Sequence, residues 1–226
     1  MISSPLIDHL FEFITEQRKE KMLKVLSERT RYVSVLLEDV YQPHNASAVL
    51  RTCDCFGVLD IHILENRNKF IPDAGITMAA DQWLNIQTYN GQEKSIAEIT
   101  GNLRKKGYRI VATTPHNTDV LLHQFDLTAG PVVVMFGSEL NGLSKDALDC
   151  ADEFVKIPMY GFSESLNISV SAAIVLQWLT TEMRRLNLNW KLSDFEKLTI
   201  IEQWLRKTIK DSDRIIERWN KEQKNK

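Results

Sequence analysis

The sequence has few cysteines. Three occur among 226 residues, at Cys53, Cys55 and Cys150. A small, odd number argues against the disulfide framework that holds many secreted domains together. The Cys53-x-Cys55 pair also lacks the second ligand pair that a structural zinc site needs. We therefore expect free thiols in a reducing compartment and no metal site.

Long apolar runs are also missing. No stretch approaches the roughly 20 residues that cross a bilayer as a helix, so we expect no membrane association. The first residues, MISSPLIDHLFEF, carry Asp8 and His9 where a secretory signal peptide would be apolar. A cytoplasmic protein is therefore expected.

Three common ligand-binding motifs are absent. No G-x-G-x-x-G follows a predicted strand and no G-x-x-x-x-G-K-[ST] occurs. A nicotinamide-dependent dehydrogenase and a P-loop phosphate site thus lose their sequence support. No G-x-S-x-G elbow occurs either, which weakens the case for a serine hydrolase.

The charge that is present is unevenly distributed. The chain is 43% hydrophobic and 26% charged, with a net charge of −2. Residues 32–183 hold 10 basic and 18 acidic side chains, whereas residues 184–226 hold 12 and 7. The basic tail can contact nucleic-acid phosphates, or it can be the solvated face of a helix; charge alone favours the second reading.

Apolar runs alternate with helical patterns along most of the chain. An N-terminal helix or helix pair is predicted from Ser4-Pro5 to about Arg29, and one or two further helices over 192–219. Buried strands are predicted at 32–40, 60–66, 108–114, 131–137 and 153–159, and helices at 46–57, 95–107, 144–151 and 167–186. This alternation predicts an α/β fold with a mostly parallel sheet and helices on both faces.

Three loops follow predicted strands, at residues 113–115, 136–144 and 157–161, and the last two contain glycines, at 137, 142 and 161. Each loop alone is explained by ordinary turn chemistry. Ligands of open parallel sheets bind at the carboxyl ends of the strands, however, so their joint occurrence predicts a site there. Loops that offer mainly backbone groups suit a neutral or cationic ligand that contains an adenine, which the loops can bury.

Three segments of the chain match, in this order, three motifs of one known enzyme family. Residues 45–52, with Gly57, match N-x-x-A-x-x-R-[ST] followed by Gly. Residues 136–144 match F-G-x-E-x-x-G-[LI]-[ST], and residues 157–170 resemble I-P-M-x-G-x-x-x-S-L-N-V-S-V. Over residues 32–185, with matching spacing, the chain therefore resembles the SpoU/TrmH branch of the SPOUT RNA methyltransferases.

The resemblance implies an overall organisation and an activity. The expected domains are a helical N-terminal extension (1–31), a methyltransferase domain with a deep C-terminal trefoil knot (32–186) and a basic helical extension (187–226). The family transfers a methyl group from S-adenosylmethionine to a ribose 2′-hydroxyl of RNA and forms homodimers with the site near the interface.

The resemblance also assigns site residues. The catalytic set is Asn45, Arg51, Glu139, Ser165 and Asn167. Because a guanidinium is a poor general base, Arg51 is expected to stabilise the developing alkoxide while a phosphate or water takes the proton. A structural salt bridge between Arg51 and Glu139 is the alternative, and Ser165 and Asn167 can also be read as mere helix caps. The residues expected around the cofactor's adenosine are Thr113, Thr114, Gly137, Ile157, Met159 and Leu166.

The RNA substrate is less specified. Short helical extensions and a basic tail resemble the type that methylates a D-loop guanosine, position 18, of tRNA. RNA contact is expected from Arg184, Arg185, Arg206, Lys207 and Lys210. Two features weaken this reading: Thr181 and Met183 stand where that type commonly has arginine, and Glu164 places a negative charge beside Ser165. Ribosomal RNA, another tRNA position and a catalytically silent RNA-binding relative remain the alternatives.

Overall fold

The structure is a computed structural model that describes residues 4–115 and 120–224. The described chain divides into two compact units. Thr30–Trp190 form the larger unit, and the described parts of Met1–Arg29 and Lys191–Lys226 form the smaller one.

A parallel sheet lies at the centre of the larger unit. Within the described residues it has seven strands in the order β3-β2-β1-β6-β4-β7-β5, and each neighbouring pair is parallel. The strands are β1 (Val33–Glu38), β2 (Asp60–Glu65), β3 (Asn85–Asn90), β4 (Arg109–Thr113), β5 (Val120–Leu121), β6 (Val132–Phe136) and β7 (Glu153–Lys156). The predicted α/β class with a mostly parallel sheet is confirmed.

Helices cover both faces of this sheet. They are α3 (Pro43–Phe56), α4 (Ala74–Thr77), α5 (Ile96–Lys105), α6 (Lys145–Asp149) and α7 (Ile168–Arg185), with 3-10 turns at Ala80–Trp83 and Leu122–Gln124. Alternate residues of β6 point to opposite faces: Val132 and Val134 pack with apolar residues of α3 and α7, and Val133 and Met135 pack with those of α5 and α6. Burial on both faces explains why the central strands read as continuous apolar runs.

Two strands, the short helix α4 and one helix start differ from the sequence prediction. The strands β3 and β5 were not predicted; both lie at sheet edges, and the half-exposed β3 has the largely polar sequence NIQTYN. The helix α3 begins at Pro43 rather than at residue 46. Proline fits the first turn of a helix, because the amide hydrogen that it lacks has no partner there. The trefoil knot stays a prediction of the resemblance.

The smaller unit is helical. Its helices are α1 (Pro5–Phe11), α2 (Glu16–Ser27), α8 (Asp194–Thr208) and α9 (Ser212–Lys224). Helix α8 contacts α1, α2 and α9. The Ser4 hydroxyl caps α1, as the Ser4-Pro5 pair predicted, and Ser193 with Glu196 forms a capping box at α8. Within the described ranges, no helix is long and apolar enough to cross a membrane.

A buried histidine lies in the sheet. His62 on β2 is 3% exposed, and its Nδ1 lies 2.9 Å from the Tyr89 hydroxyl, which donates to Gln87. Burial lowers the pKa of His62 to about 4; Asp60 opposes this shift and Lys106 adds to it. The folded protein therefore holds this imidazole neutral at pH values where an unfolded chain would protonate it.

We predict that His62 makes the protein sensitive to acid. Its pKa lies below the ordinary value of 6.5, so its contribution is fully present above pH 6.5 and is lost as the pH falls towards 4. The loss in the free energy of unfolding is about 3 kcal/mol. Urea denaturation of wild type and His62→Gln between pH 7 and 4 measures it, with exposed His123→Gln as the control. Equal pH dependence in wild type and His62→Gln would refute this prediction.

Candidate active site

A cavity of about 360 Å³ lies at the carboxyl ends of β4, β6 and β7. Its walls come from the loops after these three strands and from the first turns of α7. All six residues that the resemblance places around the adenosine line this cavity: Thr113, Thr114, Gly137, Ile157, Met159 and Leu166. The structure thus brings them together, as parallel strands bring their carboxyl ends to one edge of a sheet.

The loop after β6 closes tightly on itself. The backbones of Ser138 and Gly142 exchange two hydrogen bonds of 2.9 Å. A Cβ on Gly137 would come within 2.2 Å of the Gly142 and Leu143 backbone, and Gly142 has a φ of 65°. This turn therefore needs glycine at both positions, and the wall of the cavity is backbone for that reason.

A chain of hydrogen bonds joins the three motif segments beside this cavity. The Asn167 side-chain amide donates to Asn45 Oδ1 at 3.1 Å, and the Asn45 amide donates to Glu139 Oε1 at 2.7 Å. Asn45 is 8% exposed. Asn167 also caps α7, since its Oδ1 accepts from the Ser169 backbone and hydroxyl at 2.8 and 2.6 Å. Asn167 is thus a helix cap and a member of this chain at once.

The Glu139 carboxylate is held at the start of α3. Besides Asn45, it accepts from the backbone N–H groups of Tyr41 and Gln42 at 3.1 and 3.2 Å. Burial alone would raise the pKa of Glu139, but the hydrogen bonds from Asn45 and from backbone amides outweigh it and hold the pKa below the ordinary value. A charged carboxylate at a helix N-terminus is also favoured by the helix dipole.

Ser165 and Arg51 occupy different positions relative to the cavity. Ser165 is exposed and lines the cavity. Arg51 is exposed on α3, six residues or about 9 Å along the helix axis from Asn45, and does not line the cavity. Among the described residues its side chain has no hydrogen bond or ion pair, so the alternative of a salt bridge to Glu139 is not what the structure contains.

Two of the predicted RNA contacts lie at the end of α7. The Arg184 guanidinium stacks over the Trp190 ring at 4.7 Å and donates to the Thr180 carbonyl at 2.9 Å. Arg185 pairs with Glu182 at 2.6 Å on the surface. Exposed ion pairs are weak, so a phosphate can compete for Arg185, whereas Arg184 is used in packing.

The other three predicted RNA contacts lie in the smaller unit. Arg206 pairs with Glu202 at 2.8 Å and with Asp213 at 2.9 Å. Lys207 and Lys210 are exposed. Two carboxylates therefore already compensate the Arg206 charge.

One carboxylate that supports the site was not predicted from the sequence. Glu38 at the end of β1 is 3% exposed, and it accepts from the Ser144 backbone at 2.8 Å and from the Ser144 hydroxyl at 2.6 Å. It thereby fixes the end of the loop that carries Glu139. An acidic residue closing an apolar strand was the available signal. The described residues hold no group of three or more His, Cys, Asp or Glu side chains suited to a metal ion.

The comparisons with known proteins agree with this geometry. The sequence profile of the SpoU rRNA Methylase family matches residues 32–177. The tRNA (guanosine(18)-2′-O)-methyltransferase of Borreliella burgdorferi is 37% identical over 202 residues, which cover 89% of this chain and 90% of the relative. The enzyme of the same name from Thermus thermophilus is 35% identical over 200 residues, covering 85% and 98%.

A solved structure agrees as well. The crystal structure of the A. aeolicus TrmH/SpoU tRNA modifying enzyme superposes with a TM-score of 0.77 at 30% identity, covering 86% of this chain and 98% of that one. The profile match and these relatives together identify the family. This chain belongs to the SpoU rRNA methylase family.

Proposed function

We propose that this protein transfers a methyl group from S-adenosylmethionine to the ribose 2′-hydroxyl of guanosine 18 in tRNA. The observation that carries the proposal is the hydrogen-bonded chain of Asn167, Asn45 and Glu139 beside the cavity. The substrate follows the relatives, whose names specify guanosine 18 of tRNA.

The cavity fits S-adenosylmethionine. Its volume of about 360 Å³ lies in the range of small-molecule sites. Apolar side chains such as Ile157 and Leu166 and the backbone wall at Gly137 suit a flat adenine, while Ser165 gives the cavity a polar end. When bound, S-adenosylmethionine supplies an electrophilic methyl group.

Side chains of the protein orient the ribose and stabilise the negative charge that develops on it. Ser165 and Asn167 hold the 2′-hydroxyl, and Asn45 with Glu139 fixes the orientation of Asn167. Breaking the O–H bond leaves negative charge on the 2′-oxygen, which the Arg51 guanidinium stabilises. A guanidinium is a poor general base, so a phosphate or water accepts the proton. Arg51 stands outside the cavity and reaches the ribose only with RNA bound.

The active protein is proposed to be a homodimer. Helix α7 buries Val175 and Leu179 in the core, but on its other side Val170 is 45% exposed and Ile174 is 38% exposed. These two residues are four apart, so they form one apolar face of the helix. A second copy that covers this face would bring two cavities close to the interface.

The proposal also covers the domain organisation, with boundaries at 31/32 and 186/187. It includes a cytoplasmic location and RNA contact by the basic tail. Among the predicted RNA contacts, Arg185, Lys207 and Lys210 are exposed, whereas Arg184 packs against Trp190 and Arg206 pairs with Glu202 and Asp213.

The first prediction of this proposal concerns the substrate. Purified protein with labelled S-adenosylmethionine should methylate an unmodified tRNA transcript at the ribose of guanosine 18. A transcript with 2′-deoxyguanosine at that position should accept no methyl group, because the attacking oxygen is missing. Methylation of both transcripts to the same extent would contradict the assignment.

The second prediction concerns Arg51. Arg51→Ala should lower kcat by roughly 10²–10³-fold, the usual cost of removing a group that stabilises transition-state charge. Affinity for S-adenosylmethionine, measured by calorimetry, should stay within twofold, because Arg51 does not line the cavity. Arg51→Lys keeps the charge and should recover part of the rate. An equal collapse of donor affinity would show that Arg51 acts in cofactor binding instead.

The third prediction concerns the dimer. V170E/I174E should sediment as a monomer in analytical ultracentrifugation, because two carboxylates would be buried without partners. A97E/N102E places the same charges on exposed positions of α5 and should leave the assembly unchanged. A V170E/I174E variant that sediments like wild type would rule out this face as the interface.

A further inference from the structure

The loop after β2 carries two free cations. This loop, the β2 loop, comprises residues 66–70. Arg67 and Lys69 are both exposed. Within residues 4–115 and 120–224, their side chains make no hydrogen bond or ion pair. They differ in this respect from Arg184, Arg185 and Arg206, whose charges are engaged by neighbouring groups.

A single carboxylate fixes the shape of the β2 loop. Asp39 Oδ1 accepts from the backbone N–H groups of Arg67 and Asn68 at 2.8 Å each, and from Asn66 at 3.3 Å. Three convergent amides on one carboxylate oxygen make a strong, charge-assisted anchor. Asp39 itself has a φ of 50°, a left-handed conformation that Asp tolerates better than most residues.

Further bonds tie down both ends of the loop. Glu65 Oε1 accepts from the Phe70 backbone at 2.8 Å, and the Asn68 side chain donates to the Asp39 carbonyl at 3.2 Å. The two nearby carboxylates, Asp39 and Glu65, are thus occupied by backbone amides and not by Arg67 or Lys69. The loop is preorganised, and its cations remain available to an external anion.

The β2 loop lies on the same edge of the sheet as the active site. In the strand order, β2 is separated from β6 only by β1. With strands about 4.8 Å apart, the carboxyl ends of β2 and β6 are roughly 10 Å apart. Glu139 follows β6 directly. An RNA strand with one ribose in the site therefore has phosphates within reach of the β2 loop.

The charge of the larger unit makes such cations necessary. Residues 30–190 carry 18 acidic and 13 basic side chains, so the unit as a whole has a net negative charge, which disfavours a polyanion. Unpaired cations at the rim offset this repulsion where the substrate must approach.

We propose that the β2 loop is an RNA-binding element in which Arg67 and Lys69 contact phosphates that flank the modified nucleotide. This inference rests on the proposed function, because it takes RNA as the occupant. Arg67 and Lys69 position the substrate and take no part in the reaction itself. Phosphate contacts carry no sequence information, so the loop adds affinity and register rather than specificity for guanosine.

The test compares R67A/K69A with wild type in binding to an unmodified tRNA transcript at several salt concentrations. Each lost phosphate contact should reduce the slope of log Kd against log salt by about 0.7–0.9, or roughly 1.6 for the pair. Affinity near 0.1 M salt should fall about tenfold and KM for tRNA should rise, whereas kcat at saturating tRNA should stay within twofold.

Two further variants make the test specific. K105A/K106A removes the same charge from exposed positions at the end of α5, on the opposite edge of the sheet, and should leave the slope unchanged. R67K/K69R keeps both charges and should retain most of the affinity. Identical slopes for R67A/K69A and K105A/K106A would overturn the inference.

The outcome also separates the two proposals. If wild-type protein methylates the transcript and R67A/K69A keeps the wild-type salt slope, only the proposed role of the β2 loop is refuted. Wild-type protein that leaves every tRNA unmethylated refutes the proposed function, and the loop inference falls with it. Equal thermal denaturation midpoints for wild type and R67A/K69A would show that a changed slope is not caused by unfolding.

Discussion

The hydrogen-bonded chain from Asn167 through Asn45 to Glu139 is the interaction on which the rest of the site depends. Its two links join residues that are 122 and 94 positions apart in the sequence. They fasten the start of α7 and the loop after β6 to the first turn of α3. Because Asn45 is buried, breaking the link to Asn167 would take away the bond that its Oδ1 accepts, which costs more than the bond itself contributes, whereas its Nδ2 would keep a bond to Gln42 at 3.2 Å if the link to Glu139 broke. The chain therefore holds the three motif segments in one arrangement.

The same chain determines which charges face the substrate. The Glu139 carboxylate accepts hydrogen bonds from Asn45 and from the backbone at the start of α3, and it forms no ion pair with Arg51. Asp39 likewise gives its carboxylate to the β2 loop and leaves Arg67 free. Carboxylates at this edge of the sheet thus shape the backbone, and cations remain available for RNA. That division is compatible with an acidic body that binds a polyanion.

Much of the fold and part of the site could be predicted from the sequence. Continuous apolar runs such as VVVMF predicted the central strands. The strand β3 was not predicted, because an edge strand with one exposed face has only a weak apolar pattern. Motif resemblance predicted the cavity residues. The partners of Asn45 and the exposed position of Arg51 could not be predicted, since they depend on contacts between distant segments. The roles of these residues in catalysis stay predictions.

The most direct measurement is a double-mutant cycle on Asn45 and Glu139, with kcat for tRNA methylation as the readout and donor affinity as the control. If the chain acts as a unit, N45A and E139Q should each lower kcat by roughly 10²-fold, and the double variant should be scarcely worse than either. Donor affinity should be nearly constant in N45A; because Glu139 lines the cavity, the change in donor affinity of E139Q is compared with its change in kcat. Independent effects that multiply in the double variant, or unchanged kcat in either single variant, would contradict the account.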